Sequence, residues 1–361
     1  MTTPTRPEPG RPVRVAIVGY GLAGSIFHAP FICSTPGLEL TAIVTRDPDR
    51  QAQARREYPG VEILDSTEPI WRHEVDIDLV VVAAPNRAHV PVALDAVRAG
   101  LAVVVDKPSA VSAAEAHTLL EAARQHGVLV TVFQNRRWDG DFQTLRRLLA
   151  EDALGAPIRF ESRFERWRLQ PRPGWRESSA PEDAGGLLVD LGAHLIDQAL
   201  VLFGPVESVY AELDRRRPGV AVDDDAFVAL THVSGVRSHL WMSVLASQAG
   251  PRFRVLGLRG SYVKFGLDGQ EAALRDGQRP GGDAWGEEPP ASWGSVGADA
   301  ARHLVRTLPG SYGTFYRELE AALRTGAPPP VDPWDSVHVL QVIETARRAA
   351  AERRVVRMAE A

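Results

Sequence analysis

The chain has 361 residues, 44% hydrophobic and 24% charged, with a net charge of −5. That length suggests two folded domains, and the balance is ordinary for globular protein, with no bias toward nucleic acid or anionic membranes. The lone Cys33 excludes an internal disulfide framework, no His, Cys and acid spacing suggests a metal, and no stretch reads as a membrane span, so a cytoplasmic protein is expected.

Residues 1–12 form a polar, Pro-rich tail without a signal-peptide core. From Val13 onward, short β-branched runs at 13–18, 40–44, 79–83, 102–105 and 128–133 alternate with helix-like stretches at 22–34, 48–57, 88–99 and 112–126. Such alternation predicts an α/β domain over 13–134, with a doubly wound parallel sheet whose strands are buried on both faces. After Asn135 the pattern changes to a second, α+β domain over 135–361. It opens with a helix at 139–150 and a strand at 158–168, followed by a Pro/Gly/Trp loop at 171–181 and an apolar helix at 184–203. Strand candidates between 206 and 265, joined by tight turns, predict an open, largely antiparallel sheet. Residues 266–310 read as an irregular loop, and two helices near 313–324 and 335–350 close the chain. The Arg215–Arg217 run reads as a turn, and the arginines between 347 and 357 as the solvated face of a late helix.

Gly19-Tyr20-Gly21-Leu22-Ala23-Gly24 directly follows the first strand and opens a helix. In that context Gly-x-Gly-x-x-Gly allows a tight turn, close approach of a pyrophosphate and helix–strand packing, with the helix N-terminus facing the phosphates. An acid ending the second strand would accept a ribose 2′-hydroxyl. Here Thr45 and Arg46 stand there, which favours NADP over NAD, although Asp47 one residue on could serve NAD.

Of 41 cationic residues only two are lysine. Lys107 ends a strand in Asp106-Lys107-Pro108, where a compact donor is placed, whereas Lys264 reads as a chance survivor on a later strand. Pro85-Asn86-Arg-Ala-His89 and Asn135-Arg-Arg-Trp138 end neighbouring strands, at the carboxyl edge where open α/β sheets bind ligands. Asp190, His194 and Asp197 follow i, i+4, i+7 spacing on an otherwise apolar helix. That cluster is either a hydrogen-bonded structural triad or a histidine base tuned by a carboxylate.

Together these motifs, with Gly19–Pro30 and Gly185-Gly-x-x-x-Asp-x-x-x-His-x-x-Asp197, resemble the glucose–fructose oxidoreductase/inositol dehydrogenase (Gfo/Idh/MocA) family over almost the whole chain. The branch with NADP-linked scyllo-inositol dehydrogenases is most similar; most of the family has Glu where this chain has Asp106. The resemblance implies a Rossmann domain and hydride exchange between NADP, or NAD, and a secondary alcohol of a cyclitol or sugar. It implies Lys107, Asp190 and His194 as catalytic residues: Lys107 on the reacting hydroxyl, His194 as its base and Asp190 orienting the imidazole. It further implies cofactor contacts from Gly19–Gly24, Thr45, Arg46, Pro85, Asn86, His89, Asp106 and Lys107. Substrate contacts would come from Asn135, Trp175, Arg176, Asp190, His194 and Asp197, with no metal. A cis Lys107–Pro108 peptide and a homodimer or homotetramer formed through the second-domain sheet are also implied. Two other readings remain open at this point: a non-catalytic NAD(P)-binding sensor, and a nicotinamide-dependent glycosidase of the same family.

Overall fold

Runs such as Val80-Val-Val82 and Val103-Val-Val105 have no polar face to give to water, so they form central strands covered on both sides. The computed structural model describes residues 10–171, 174–282 and 284–358; residues 1–9 of the expected tail lie outside this range. The chain divides into two units: the first is Met1–Asn135, Gln270–Asp283 and Ser311–Val337, the second Arg136–Gly269, Ala284–Gly310 and His338–Ala361.

The first unit carries a six-stranded parallel sheet: β1 (Val13–Val18), β2 (Leu38–Val44), β3 (Glu62–Leu64), β4 (Leu79–Val82), β5 (Ala102–Asp106) and β6 (Val130–Phe133). Their order is β3-β2-β1-β4-β5-β6, so the strand order reverses between β1 and β4, where doubly wound sheets bind ligands. Val15, Ile17, Val80, Val81, Val103, Val104 and Val105 are fully buried, each contributing about 1.5–3 kcal/mol of transfer free energy. The helices Asn86–Arg98 and Ala113–His126 lie where the periodicity predicts; Ser112 caps the second by accepting from the Glu115 N–H. The unit also takes in the helix Gly313–Thr325, which the sequence reading assigned to the second domain. Its Phe315 and Tyr316 rings pack against Phe133 at 4.9 and 5.8 Å, and the Thr131 hydroxyl donates to the Val331 carbonyl.

The second unit is built on nine strands: β7 (Pro157–Glu165), β8 (Val206–Asp214), β9 (Asp225–His232), β10 (Arg237–Ser243), β11 (Phe253–Gly257), β12 (Ser261–Lys264), β13 (Gly294–Gly297), β14 (His303–Val305) and β15 (Val356–Arg357). Their order is β14-β13-β12-β11-β7-β10-β9-β8-β15; β7 and β10 pair in parallel and every other neighbouring pair is antiparallel. Alternation in β9 buries Ala226, Val228 and Leu230, while Phe227 on the opposite face meets Trp241 of β10 at 5.1 Å. The helix Ala193–Phe203 belongs to this unit's core. By length and hydropathy Pro181–Phe203 could cross a membrane, contrary to the sequence reading, but 78% of its most apolar window is buried within the protein.

Several expectations change. The 266–310 segment is not simply a loop, since it supplies the helix Gln270–Arg275 together with β13 and β14. The late helix Pro333–Glu352 stops before Val356, which is buried in β15 against β8. Arg217 opens the expected turn, with the Val220 N–H reaching its carbonyl, but its side chain does not face solvent. It is buried, with Nε on Asp224 at 2.8 Å and Nη2 on Glu177 at 3.2 Å, because charges folded inward must meet counter-charges. Lys264 is likewise no survivor of drift. It is fully buried, donates to the Phe265 carbonyl at 2.8 Å and pairs with Glu288 at 3.1 Å. Asp141 adds to these buried charges; burial pushes its carboxyl up to about 6 despite the nearby Arg252 guanidinium.

Candidate active site

In the first unit the Gly-rich turn behaves as its spacing requires. Gly19 has φ +100°, and a Cβ there would lie 2.6 Å from the Ala83 carbonyl oxygen at the end of β4. A Cβ at Gly21 would meet nothing nearer than the Arg50 guanidinium, at 3.6 Å. The backbone at Gly21 is therefore open to a phosphate, and the residues fit a dinucleotide. The Tyr20 hydroxyl donates to Glu57 at 2.6 Å, tying the turn to the helix Pro48–Glu57.

At the end of β2, Thr45 is buried and Arg46 exposed, with Arg46 Nε donating to the Asp65 carbonyl. Asp47 caps the next helix: Oδ1 accepts from the N–H groups of Asp49 and Arg50, and Oδ2 pairs with Arg50 Nε at 3.3 Å. Arg50 was not among the residues singled out from sequence. Its signal was its place one helical turn beyond Arg46.

Strand β5 ends in Asp106, and the Lys107–Pro108 peptide is cis. Asp106 Oδ1 accepts from the Lys107 N–H at 2.8 Å, and Oδ2 lies 3.9 Å from His28 Nε2. Burial works to raise the Asp106 carboxyl, but His28, with His89 and Lys107, holds it below the usual carboxylate range. His28 is fully buried, its Nδ1 2.5 Å from the Tyr316 hydroxyl. Pro85 and Asn86 open the helix Asn86–Arg98, with Asn86 and Asn135 both buried. His89 is buried between carbonyl oxygens, Nδ1 2.7 Å from Pro108 and Nε2 2.8 Å from Ala84.

In the second unit, Asp190 lies in a π-helical turn, Leu188–Gly192, that runs into the helix Ala193–Phe203 carrying His194 and Asp197. The Gly-rich turn of the first unit also leads into a π turn, Ala23–His28, and such turns cluster at functional sites. Gly186 has φ +104°, and a Cβ there would collide with Asp223, whose Oδ2 accepts from the Leu188 N–H. At Gly185 a Cβ would collide with the Ser178 carbonyl, and the Gly186 N–H donates to the Arg176 carbonyl, which brings the Trp175–Glu177 turn over the start of the helix. Arg176 Nε is 3.4 Å from Asp190, and its guanidinium stacks on Trp175 at 4.3 Å. His194 is 6% exposed, with the Phe164 ring edge-on at 6.1 Å. Arg252 covers that ring at 4.2 Å and donates to Gln198 and Ser162.

Asp197, buried, takes a two-pronged bond from Arg137, Nε at 2.9 Å and Nη2 at 2.6 Å. Sequence reasoning quoted the Asn135-Arg-Arg-Trp138 motif but assigned only Asn135; it missed Arg137, whose partner lies 60 residues away. Asp190, His194 and Asp197 thus share one helical segment, each carboxylate meeting a different arginine. Lys107, Asp106, His89 and the Gly-rich turn belong to the first unit, and Trp175, Arg176, Asp190, His194 and Asp197 to the second.

Comparison with known proteins identifies the family. The oxidoreductase family model, "NAD-binding Rossmann fold", matches residues 13–134, and the "GFO/IDH/MocA C-terminal domain" model matches 142–263. The chain is 38% identical to the uncharacterized oxidoreductase YdgJ of Escherichia coli K12, over 94% of this chain and 97% of that one. It is 34% identical to the scyllo-inositol 2-dehydrogenase (NADP(+)) IolW of Bacillus subtilis 168, over 95% of each chain. The solved structure of Bacillus subtilis yvaA superposes with a TM-score of 0.92 at 32% identity, covering 98% of this chain and all of that one. With both halves matched and relatives aligned nearly end to end, this chain belongs to the GFO/IDH/MocA family of NAD(P)-dependent oxidoreductases.

Proposed function

We propose that the enzyme is an NADP-dependent dehydrogenase, or in reverse a ketone reductase, acting on a secondary alcohol of a cyclitol or sugar. The observation that carries the reading is the engagement of Asp47 as a helix cap. With that carboxylate engaged, the end of β2 offers the Arg46 and Arg50 guanidiniums beside the buried Thr45, groups suited to a 2′-phosphate. The relative IolW, named for NADP and scyllo-inositol, supports the same choice.

When bound, the nicotinamide supplies the hydride acceptor or donor. Lys107 donates to the reacting hydroxyl and stabilises the developing alkoxide, and His194 takes the hydroxyl proton. Asp190 balances the imidazolium, with Arg176 holding its carboxylate. Asn135, Trp175 and Arg176 contact the polyol, as does Asp197 within reach of its Arg137 clamp. We place the enzyme in the cytoplasm as a homodimer or homotetramer joined through the second-unit sheet; a monomer mass by light scattering would count against that assembly.

The test is a screen of purified protein with NADP⁺ and NAD⁺ against inositol isomers and common sugars, following absorbance of the reduced nicotinamide. Turnover on a cyclitol or sugar with NADP⁺ is expected; none across the panel would reject the reading. Thr45→Asp should lower the NADP-to-NAD ratio of kcat/KM at least about tenfold, since a carboxylate repels the 2′-phosphate. Gly21→Ala should keep stability within about 0.5 kcal/mol, the added methyl making only ordinary contact with the Arg50 guanidinium at 3.6 Å. It should nevertheless weaken NADP binding by at least about tenfold in a fluorescence titration, because a Cβ now stands where the pyrophosphate approaches.

A further inference from the structure

The arrangement around His89 is hard to reconcile with direct contact to a cofactor. Its ring is buried, and each nitrogen faces a carbonyl oxygen: Nδ1 that of Pro108, Nε2 that of Ala84. A carbonyl only accepts, so a neutral imidazole with one N–H can satisfy one of these oxygens, and only the imidazolium both. Burial pushes the ring pKa below the usual imidazole range, while Asp106 and the two carbonyls pull it up and Lys107 pushes it down. Asp106 itself is engaged elsewhere, Oδ1 accepting from the Lys107 N–H and Oδ2 lying 3.9 Å from His28 Nε2. Ala84 follows β4 and Pro108 follows β5, so the ring spans the loops of two adjacent strands, and one of those loops carries Lys107.

We infer that His89 is a positioning residue for Lys107: Nδ1–H donates to the Pro108 carbonyl and fixes the direction in which the lysine leaves β5. This rests on Lys107 acting on substrate as proposed above. In this arrangement the neutral ring keeps its proton on Nδ1, facing the loop that carries Lys107, and the Ala84 contact gains a proton only in the imidazolium. Free imidazole side chains prefer the opposite tautomer, so the assignment has a distinct spectroscopic signature.

Two measurements test it. In ¹⁵N-histidine-labelled wild-type protein, with the ring assigned through its contacts to Pro108, Nδ1 should be protonated at pH 7.5 in either charge state. A bare Nδ1 with the proton on Nε2 would overturn the inference, and this readout requires no turnover. The second compares two amides on the substrate found in the screen. Asn places its NH₂ near the Nδ1 position, whereas Gln reaches toward the Nε2 position. His89→Asn should keep kcat within about fivefold of wild type, and His89→Gln should lose about ten- to hundredfold, with NADP affinity within about threefold in both. Equal losses in the two variants, or a loss confined to NADP affinity, would overturn the positioning role. Failure of the catalytic reading itself would appear separately, as an unchanged kcat in Lys107→Met.

Discussion

Lys107→Met and His194→Ala are each expected to lower kcat by roughly two to four powers of ten while NADP binds within a few-fold of wild type. Methionine keeps the length and apolar stem of lysine but cannot donate to an alkoxide, so the loss falls on the transition state rather than on folding. Lys107 sits at the end of β5, its N–H held by Asp106 and the next carbonyl facing His89; a neutral side chain there leaves that framework in place. His194→Ala removes the base but leaves Phe164, Arg252 and Gln198 to keep the helix packed. Single-turnover kinetics beside a cofactor titration separates the two effects. Unchanged kcat in both variants would refute the roles assigned to Lys107 and His194.

Lys264→Met is expected to cost about 3–5 kcal/mol of stability, and the double variant Lys264→Met/Glu288→Leu to recover most of it. The single change leaves Glu288 buried opposite nothing, near Asp141, whose carboxyl burial already pushes up. Removing both charges replaces a desolvated pair with apolar contact, which proteins tolerate far better than a stranded ion. Urea melts of the three proteins test this. Equal stability of the single and wild-type proteins would mean that Glu288 finds another partner or water.

The two lysines show where sequence reading succeeds and where it fails. Lys107 was legible because its neighbours are local: a β-branched strand, an acid and a proline within a few residues. Lys264 was not, because Glu288 lies 24 positions on, in a segment without periodicity. The parallel sheet was legible for the same local reason, the NAD-binding half showing a strand–helix rhythm from residue 13. Short strands such as His303–Val305 and Val356–Arg357 carry too few residues to show alternation and exist because a neighbouring strand offers its edge. At the site, the His194 face was legible from spacing, but Arg137 and His28 were not: what recommends each is a partner brought near by folding. Arg50 differs, since its partner Asp47 is only three positions away.

The way the first unit returns to late parts of the chain bears on how the protein is made. Phe133 and His28 are covered by Phe315 and Tyr316, and the Thr131 hydroxyl waits for the Val331 carbonyl. At translation rates of roughly 5–20 residues per second, about 10–40 s separate the emergence of β6 from that of its last cover. During that interval the nascent nucleotide-binding sheet exposes an aromatic surface, and a product ending near residue 134 would keep it exposed. Ribosome-bound chains of that length should therefore need chaperone protection that the finished enzyme does not.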